Sequence, residues 1–236
     1  MSPIVILPPD GPKITQREFS MALRVKVGAK SMTATVVNLP QGRFLLTARH
    51  GVEKYPQYPM ELFWEGSWHQ HEVEPVENPD VDYDVVAARI SDALSDRPSD
   101  AILSPGGLAA SKEVYFLGFP LGLSSDSPVG FPIPIALVKR GTVSGFAGDG
   151  AKRIIFIDAM NTKGFSGGPV FAGNPRGPGA ALAAIVAKYP HRKAKFPIEI
   201  NGAIGSVTIE ENVGITIAYP LQGVIGSIVR KYGEGS

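Results

Sequence analysis

The chain alternates short apolar runs with turn-forming residues along most of its length. Runs rich in Val, Ile, Phe, Leu and Thr cover 21–27, 31–37, 43–48, 60–64, 69–73, 85–90 and 113–117. The second half continues with 136–146, 153–158, 169–172, 180–187 and 206–217. Gly, Pro, Asn and Asp punctuate the gaps, and 27 Gly and 21 Pro in 236 residues supply many turns. Short β-branched and aromatic runs at this spacing predict an all-β protein, a barrel or a sandwich. The C-terminus breaks the pattern. Leu221, Val224, Ile225, Ile228 and Val229 fall at i, i+3, i+4, i+7 and i+8, the apolar stripe of one helix, and Pro220 stands where a first-turn proline is tolerated. This helix is expected to pack on the outside of a barrel.

Two stretches divide the chain. Residues 1–15 are Pro-rich and read as an extended arm, and 92–110, rich in Ser, Asp, Pro and Gly, reads as a connection between two halves. The expected domains are therefore 16–105 and 106–236. Hydrophobic residues make up 44% and charged residues 19%, enough apolar mass for a sizeable core. A net charge of +1 gives no electrostatic case for binding nucleic acid or a membrane surface. The absence of cysteine excludes disulfides, thiolate metal sites and a cysteine nucleophile. The N-terminus lacks a basic n-region and no run approaches membrane-spanning length, so the expected location is cytoplasmic.

The chemistry centres on Lys163-Gly164-Phe165-Ser166-Gly167-Gly168-Pro169-Val170. Glycines permit positive φ and close approach of a ligand to the main chain, so a serine on such a turn can present its hydroxyl beside backbone N–H donors. Acyl transfer needs that combination of nucleophile and oxyanion donors. His50 ends the apolar run Phe44–Ala48, and Asp84 opens the apolar run at Val85. The order along the chain is His, Asp, Ser. An α/β-hydrolase runs Ser, acid, His, and after Ser166 the sequence has one histidine, His191, with no Asp or Glu between them. That architecture is excluded.

The order His, Asp, Ser is that of the chymotrypsin-type template. Thr47-Ala48-Arg49-His50 resembles the T-A-A-H motif of trypsin-like serine proteases, Asp84-Val85-Val86 their D-x-A strand, and Gly164-Phe165-Ser166-Gly167-Gly168-Pro169 their G-D-S-G-G-P. Gly118-Phe119-Pro120 is similar to the G-[FYW]-P that begins their second barrel. The four motifs appear in the family's order over most of the chain. The resemblance implies two six-stranded antiparallel β-barrels with the site between them, and no cofactor. In this reading His50 is general base and then general acid, Asp84 orients it, Ser166 is the nucleophile, and the N–H groups of Gly164 and Ser166 form the oxyanion hole. Asp82, two residues from Asp84 on the same strand face, is the rival carboxylate.

The departures from the family pattern carry information. Phe165 stands where secreted trypsins carry an aspartate that pairs with a newly freed N-terminus, so activation by that ion pair is not expected, and the chain looks closer to the bacterial, cysteine-free branch. Gly51 replaces a cysteine, Val86 a small residue, and Arg49 places a cation beside His50. The family's residue six before the nucleophile lies at the base of the pocket for the side chain preceding the scissile bond. Here that is Met160, with Ala159 and Val186 as neighbours, which implies a pocket for a small or apolar side chain.

Weaker signals add little. His69-Gln70-His71 puts two imidazoles on one strand face without a third ligand at convincing spacing, so no metal site is expected. His191-Arg192-Lys193-Ala194-Lys195 reads as a solvated basic loop. The function expected is a serine endopeptidase acting on protein or peptide substrates, with an activating protein partner that orders the loops around 139–152 and 188–205. The alternative is a trypsin-fold binding or scaffold module without proteolysis.

Overall fold

A computed structural model of the chain describes residues 14–53, 60–78, 80, 82–90, 103–104, 108–126, 133–150, 153–177, 179–201 and 203–233. The N-terminal arm lies almost wholly, and the connection at 92–110 mostly, outside the described residues.

The first half is one antiparallel sheet. It contains β1 (Ala22–Val27), β2 (Lys30–Leu39), β3 (Gly42–Ala48), β4 (Met60–Trp64), β5 (Ser67–His71), β6 (Val73–Val76) and β7 (Val85–Ile90), in the order β5-β4-β1-β2-β3-β7-β6. Its two edge strands are successive in the chain, separated by Glu72 alone. One run therefore pairs with β4 through its first part and with β7 through its second. Counted as one bent strand, it closes a six-stranded ring. Period-two burial follows: Leu23, Val25 and Val27 are buried, while Arg24 and Lys26 are half-exposed.

The second half is a closed six-stranded barrel. It is built from β8 (Glu113–Gly118), β9 (Leu137–Ala147), β10 (Ile154–Asp158), β11 (Pro169–Gly173), β12 (Ala180–Lys188) and β15 (Ile215–Pro220) in the order β10-β15-β12-β11-β8-β9. Every residue from Ala180 to Ala187 is buried, because β12 has the barrel interior on one face and the first half on the other. Alanines at 180, 181, 183, 184 and 187 let it fit between two cores. One apolar cluster fills the seam, joining Leu46, Val85 and Ala87 to Leu117, Ile185 and Tyr219, and two others fill the barrel interiors.

The C-terminal helix α3 (Gln222–Tyr232) crosses back to the first half. Its Leu221, Val224 and Ile228 side lies in the seam cluster, Lys231 Nζ donates to Pro75 O at 2.8 Å, and Tyr232 packs on Phe44 with ring centroids 5.6 Å apart. A short helix, α1 (Gln16–Met21), precedes β1, and Thr15 N–H donates to Glu18 Oε2 at 2.8 Å across its first turn. Its six residues are too few to show a helical period. Among the described residues no helix is long and apolar enough to cross a membrane.

Between β12 and β15 the chain forms a ribbon of two ten-residue strands, β13 (His191–Ile200) and β14 (Ala203–Asn212), paired, among the described residues, only with each other. This corrects two expectations: the basic loop is a strand, and the run 206–217 is two strands. The break falls at Gly214, whose φ of +78° favours glycine. Directly paired residues share a face, so Ala194, Phe196 and Ile198 lie beside Ile209, Val207 and Gly205 on one apolar face. Phe196 is 43% exposed and Ile209 47%.

Candidate active site

The pairing of β3 with β7 ends at Ala48 opposite Val85. The next residue on one strand and the preceding one on the other are therefore neighbours, and Arg49 N–H donates to Asp84 O at 3.2 Å. A single helical turn, α2 (Arg49–Val52), then carries His50. His50 N–H donates to Asp84 Oδ1 at 2.9 Å, and its Nδ1 lies 2.9 Å from Oδ2. A carboxylate only accepts, so Nδ1 carries the proton and Nε2 is left as a base. Asp84 is 9% exposed. Burial raises its pKa, but the hydrogen bonds from the His50 side chain and backbone, with the Lys188 charge, hold it below the ordinary carboxylate value. Asp82 stays on an exposed turn, where its N–H meets Asp80 Oδ1 at 3.2 Å.

Arg49 does not point its charge at the imidazole. Its Nε donates to Tyr83 O at 3.2 Å, and its Nη2 reaches Asn78 O and Asp80 O, each at 2.9 Å. The planar guanidinium fork ties down the segment leading into Asp84. The expectation of a cation beside the base is corrected, because three backbone carbonyls compete for it. Gly51 is equally local: a Cβ there would meet the tip of the Met32 side chain on β2, which would have to shift.

Ser166 sits on the turn between β10 and β11, half-buried, and the turn is docked on β2 of the first half. Thr33 N–H donates to Ser166 O at 3.1 Å, Thr33 Oγ1 to Gly164 O at 2.6 Å, and Thr35 Oγ1 to Gly167 O at 2.8 Å. Thr47 Oγ1 in turn donates to Thr33 O at 2.8 Å. These three threonines are buried. Gly167, with φ +87°, leaves no room for a Cβ, which would strike Thr33 O and Thr47 Oγ1. Phe165 is buried in the second barrel, its ring edge-on to Phe116 at 5.3 Å.

Among the described residues, the N–H groups of Gly164 and Ser166 make no hydrogen bond, and no hydrogen bond joins the Ser166 hydroxyl to His50. The turn thus offers two backbone donors and a hydroxyl, and β3 and β7 offer a paired imidazole. A nucleophile, a base with an orienting carboxylate, and donors for an oxyanion are the parts of an acyl-transfer site.

The proposed specificity residues fare differently. Met160 is 60% exposed and faces out, with its carbonyl taking Lys139 Nζ at 2.5 Å, while Val186 is fully buried in the barrel wall. Asn161 turns inward instead, fully buried, because its Oδ1 takes Thr162 N–H at 2.7 Å and its carbonyl takes the Asn212 amide. Ala159 is tied by its N–H to Gly214 O at 3.0 Å. The stretches expected to be loops around 139–152 and 188–205 are largely β9, β13 and β14. On β5, His69 meets Ser67 Oγ at 2.7 Å, and among the described residues no three potential ligands cluster as a metal site.

The sequence did not single out Thr33, Thr35, Tyr83 or Tyr219. Thr33 and Thr35 are two apart in an apolar strand, a signal for a polar contact on one face. Tyr83 donates from its hydroxyl to Pro220 O at 2.5 Å, and Tyr219 to Asp82 O at 3.1 Å, stitching the aspartate segment to the second barrel.

A family model described as a trypsin-like peptidase domain matches residues 33–177. No curated protein sequence matches the chain. The HtrA-type protease AlgW, solved with a tripeptide, shares the fold with a TM-score of 0.59 at 16% identity, over 92% of this chain and 62% of that one. The chain thus spans about three fifths of AlgW. The active form of the Rv3671c protease from M. tuberculosis matches with TM-score 0.57 at 13% identity, over 100% of this chain and 95% of that one. The thermostable serine protease AL20 from an extremophilic microorganism matches with TM-score 0.56 at 15% identity, over 92% and 98%.

Proposed function

The chain belongs to the trypsin-like peptidase domain family, and from that premise we propose that it is a serine endopeptidase working through an acyl-enzyme. The observation that carries this reading is the two-point bond between His50 and Asp84 at 2.9 Å, beside a glycine turn whose Gly164 and Ser166 N–H groups are open. In the proposed reaction Ser166 Oγ attacks the scissile carbonyl carbon and its proton passes to His50 Nε2. The carbonyl oxygen becomes an oxyanion held by the N–H groups of Gly164 and Ser166. Collapse breaks the C–N bond as His50 returns the proton to the leaving amine. Water then repeats the attack on the ester, with His50 taking its proton, and frees the acid and Ser166. Asp84, ionised throughout, stabilises the imidazolium.

AlgW was solved with a tripeptide, and a peptide or protein substrate is the matching proposal here. The unjoined Ser166 hydroxyl and His50 favour a second reading, in which a protein partner brings the nucleophile turn and the imidazole together. Fluorophosphonate labelling of wild type and Ser166→Ala tests both. Labelling lost in Ser166→Ala supports the enzyme, and labelling that needs an added partner supports gating. Folded protein that never labels would leave a scaffold.

A further inference from the structure

The N–H of Gly164 belongs to the peptide unit that begins with the Lys163 carbonyl. A trans peptide is planar with its C=O and N–H on opposite sides, so whatever holds the carbonyl aims the N–H. Lys163 O accepts the backbone N–H of Leu121 at 2.9 Å. Leu121 lies inside the 3-10 turn Pro120–Gly122 with φ 53° and ψ 21°, the left-handed region that disfavours any residue with a Cβ. Its side chain is 76% exposed, so packing does not explain why a leucine holds that shape. Strain of this kind, kept at one contact, marks a functional position.

The turn is anchored on both sides. Gly122 N–H donates to Phe119 O at 3.0 Å and Leu123 N–H to Pro120 O at 2.8 Å. Phe119 N–H donates to Thr33 Oγ1 at 3.1 Å, and the same hydroxyl donates to Gly164 O at 2.6 Å. A Cβ on Gly164 would strike Phe119 O, so the two segments lie in contact. The other donor is held differently: the peptide bearing Ser166 N–H is fixed inside its own turn, by Gly168 N–H to Phe165 O at 2.9 Å. One oxyanion donor is set locally and the other from a separate segment.

We propose that Leu121 is a positioning residue, whose left-handed backbone conformation aims the Gly164 N–H into the oxyanion site, so that departure from that conformation switches the donor off. The proposal rests on the reading of Gly164 as an oxyanion donor. Leu121→Gly keeps the N–H and removes the steric penalty, whereas Leu121→Ile puts a β-branched residue where φ is positive. Replacing Leu121 by its α-hydroxy acid deletes the N–H and, by making the Pro120 carbonyl an ester, also weakens the acceptor of Leu123 N–H, so this variant is read beside the other two. Against a peptide ester, the glycine variant is expected at or above the wild-type kcat, and the isoleucine variant roughly fivefold below it. The ester-backbone protein is expected to lose roughly a hundredfold, the scale of one oxyanion donor. KM and melting temperature stay near wild type in all three, and the Gly164 amide resonance moves in the last two but not in the first. Equal kcat for the glycine and isoleucine variants, or an ester-backbone protein at full rate, overturns the proposal. A wild type that fluorophosphonate never labels overturns the protease reading instead, and the Gly164 resonance then still reports whether Leu121 sets that peptide.

Discussion

Asp84 grips His50 at two points, one oxygen on the backbone N–H and the other on the ring Nδ1, each at 2.9 Å. The backbone bond fixes the carboxylate plane, so the ring finds its acceptor already placed.

Asp84→Asn should therefore leave the fold intact and lower kcat by roughly 10⁴-fold, because an amide nitrogen in that place favours the wrong imidazole tautomer. Steady-state kinetics on any cleaved peptide checks this, and a loss below tenfold would remove Asp84 from the mechanism. The pH dependence has a definite sign. The folded pKa of Asp84 is lowered, so its stabilisation is present above the ordinary carboxylate value and fades as pH falls through the folded value. Melting curves from pH 7 into the acid range should fall more steeply for wild type than for Asp84→Asn.

Arg49→Ala frees three carbonyls on the segment before Asp84. We expect a loss of about 2 kcal/mol in urea unfolding and a lower kcat. Arg49→Lys, with a single ammonium, should recover less than half of either. Added guanidinium at non-denaturing concentration should raise the kcat of the alanine variant but not that of the lysine variant.

Thr33→Val removes a hydroxyl that donates to Gly164 O and accepts from Phe119 N–H. Both partners lose a buried hydrogen bond, a cost of about 1–3 kcal/mol each. Chemical denaturation should show it, with kcat falling more than KM rises. Wild-type kinetics in a destabilised variant would separate the threonine from the oxyanion turn.

Gly167→Ala meets both a positive φ and a collision with Thr33 O. A loss above about 3 kcal/mol is expected, with no fluorophosphonate labelling, while Ser166→Ala stays as stable as wild type. Calorimetry of the two variants side by side decides it.

Joining Arg192 to Glu211 through a two-residue turn deletes the ribbon beyond its first pairs. Since β13 and β14 pair with neither barrel, melting temperature should stay within a few degrees. A shortened protein that fails to fold would show that the ribbon stabilises the barrels after all.

The adjacency of His50 and Asp84 in the candidate site was legible because their chemistry coincides with strand ends. His50 and Asp84 flank the β3–β7 pairing, and apolar runs mark both strands, so their adjacency follows once the strands are antiparallel neighbours. The glycines around Ser166 announce a turn. Arg49 was not legible, because the direction of a long side chain depends on carbonyls about thirty positions away. Met160 points outward for a similar reason: Asn161 finds partners in Thr162 and in Asn212, the latter 51 positions along the chain. The ribbon stayed hidden because Arg192, Lys193 and Lys195 dominate the start of β13 and Pro197 interrupts it. Its apolar face emerges only when β14 is laid alongside.

The way the first barrel closes also fixes where the protein is open to strand addition. There the bent run 67–76 leaves only short edges of five and four residues, and the second barrel closes fully. Among the described residues, the ribbon presents the long unpaired backbone edges. On β13 two lysines and Pro197, which lacks an N–H, guard the edge against a further strand. On β14 the acidic pair Glu210 and Glu211 guards only the base, and Ile204 to Thr208 carries no charge. In concentrated solution, cross-β association is expected to start at that uncharged stretch, and Thr208→Lys is expected to slow it, which light scattering of the two proteins side by side checks.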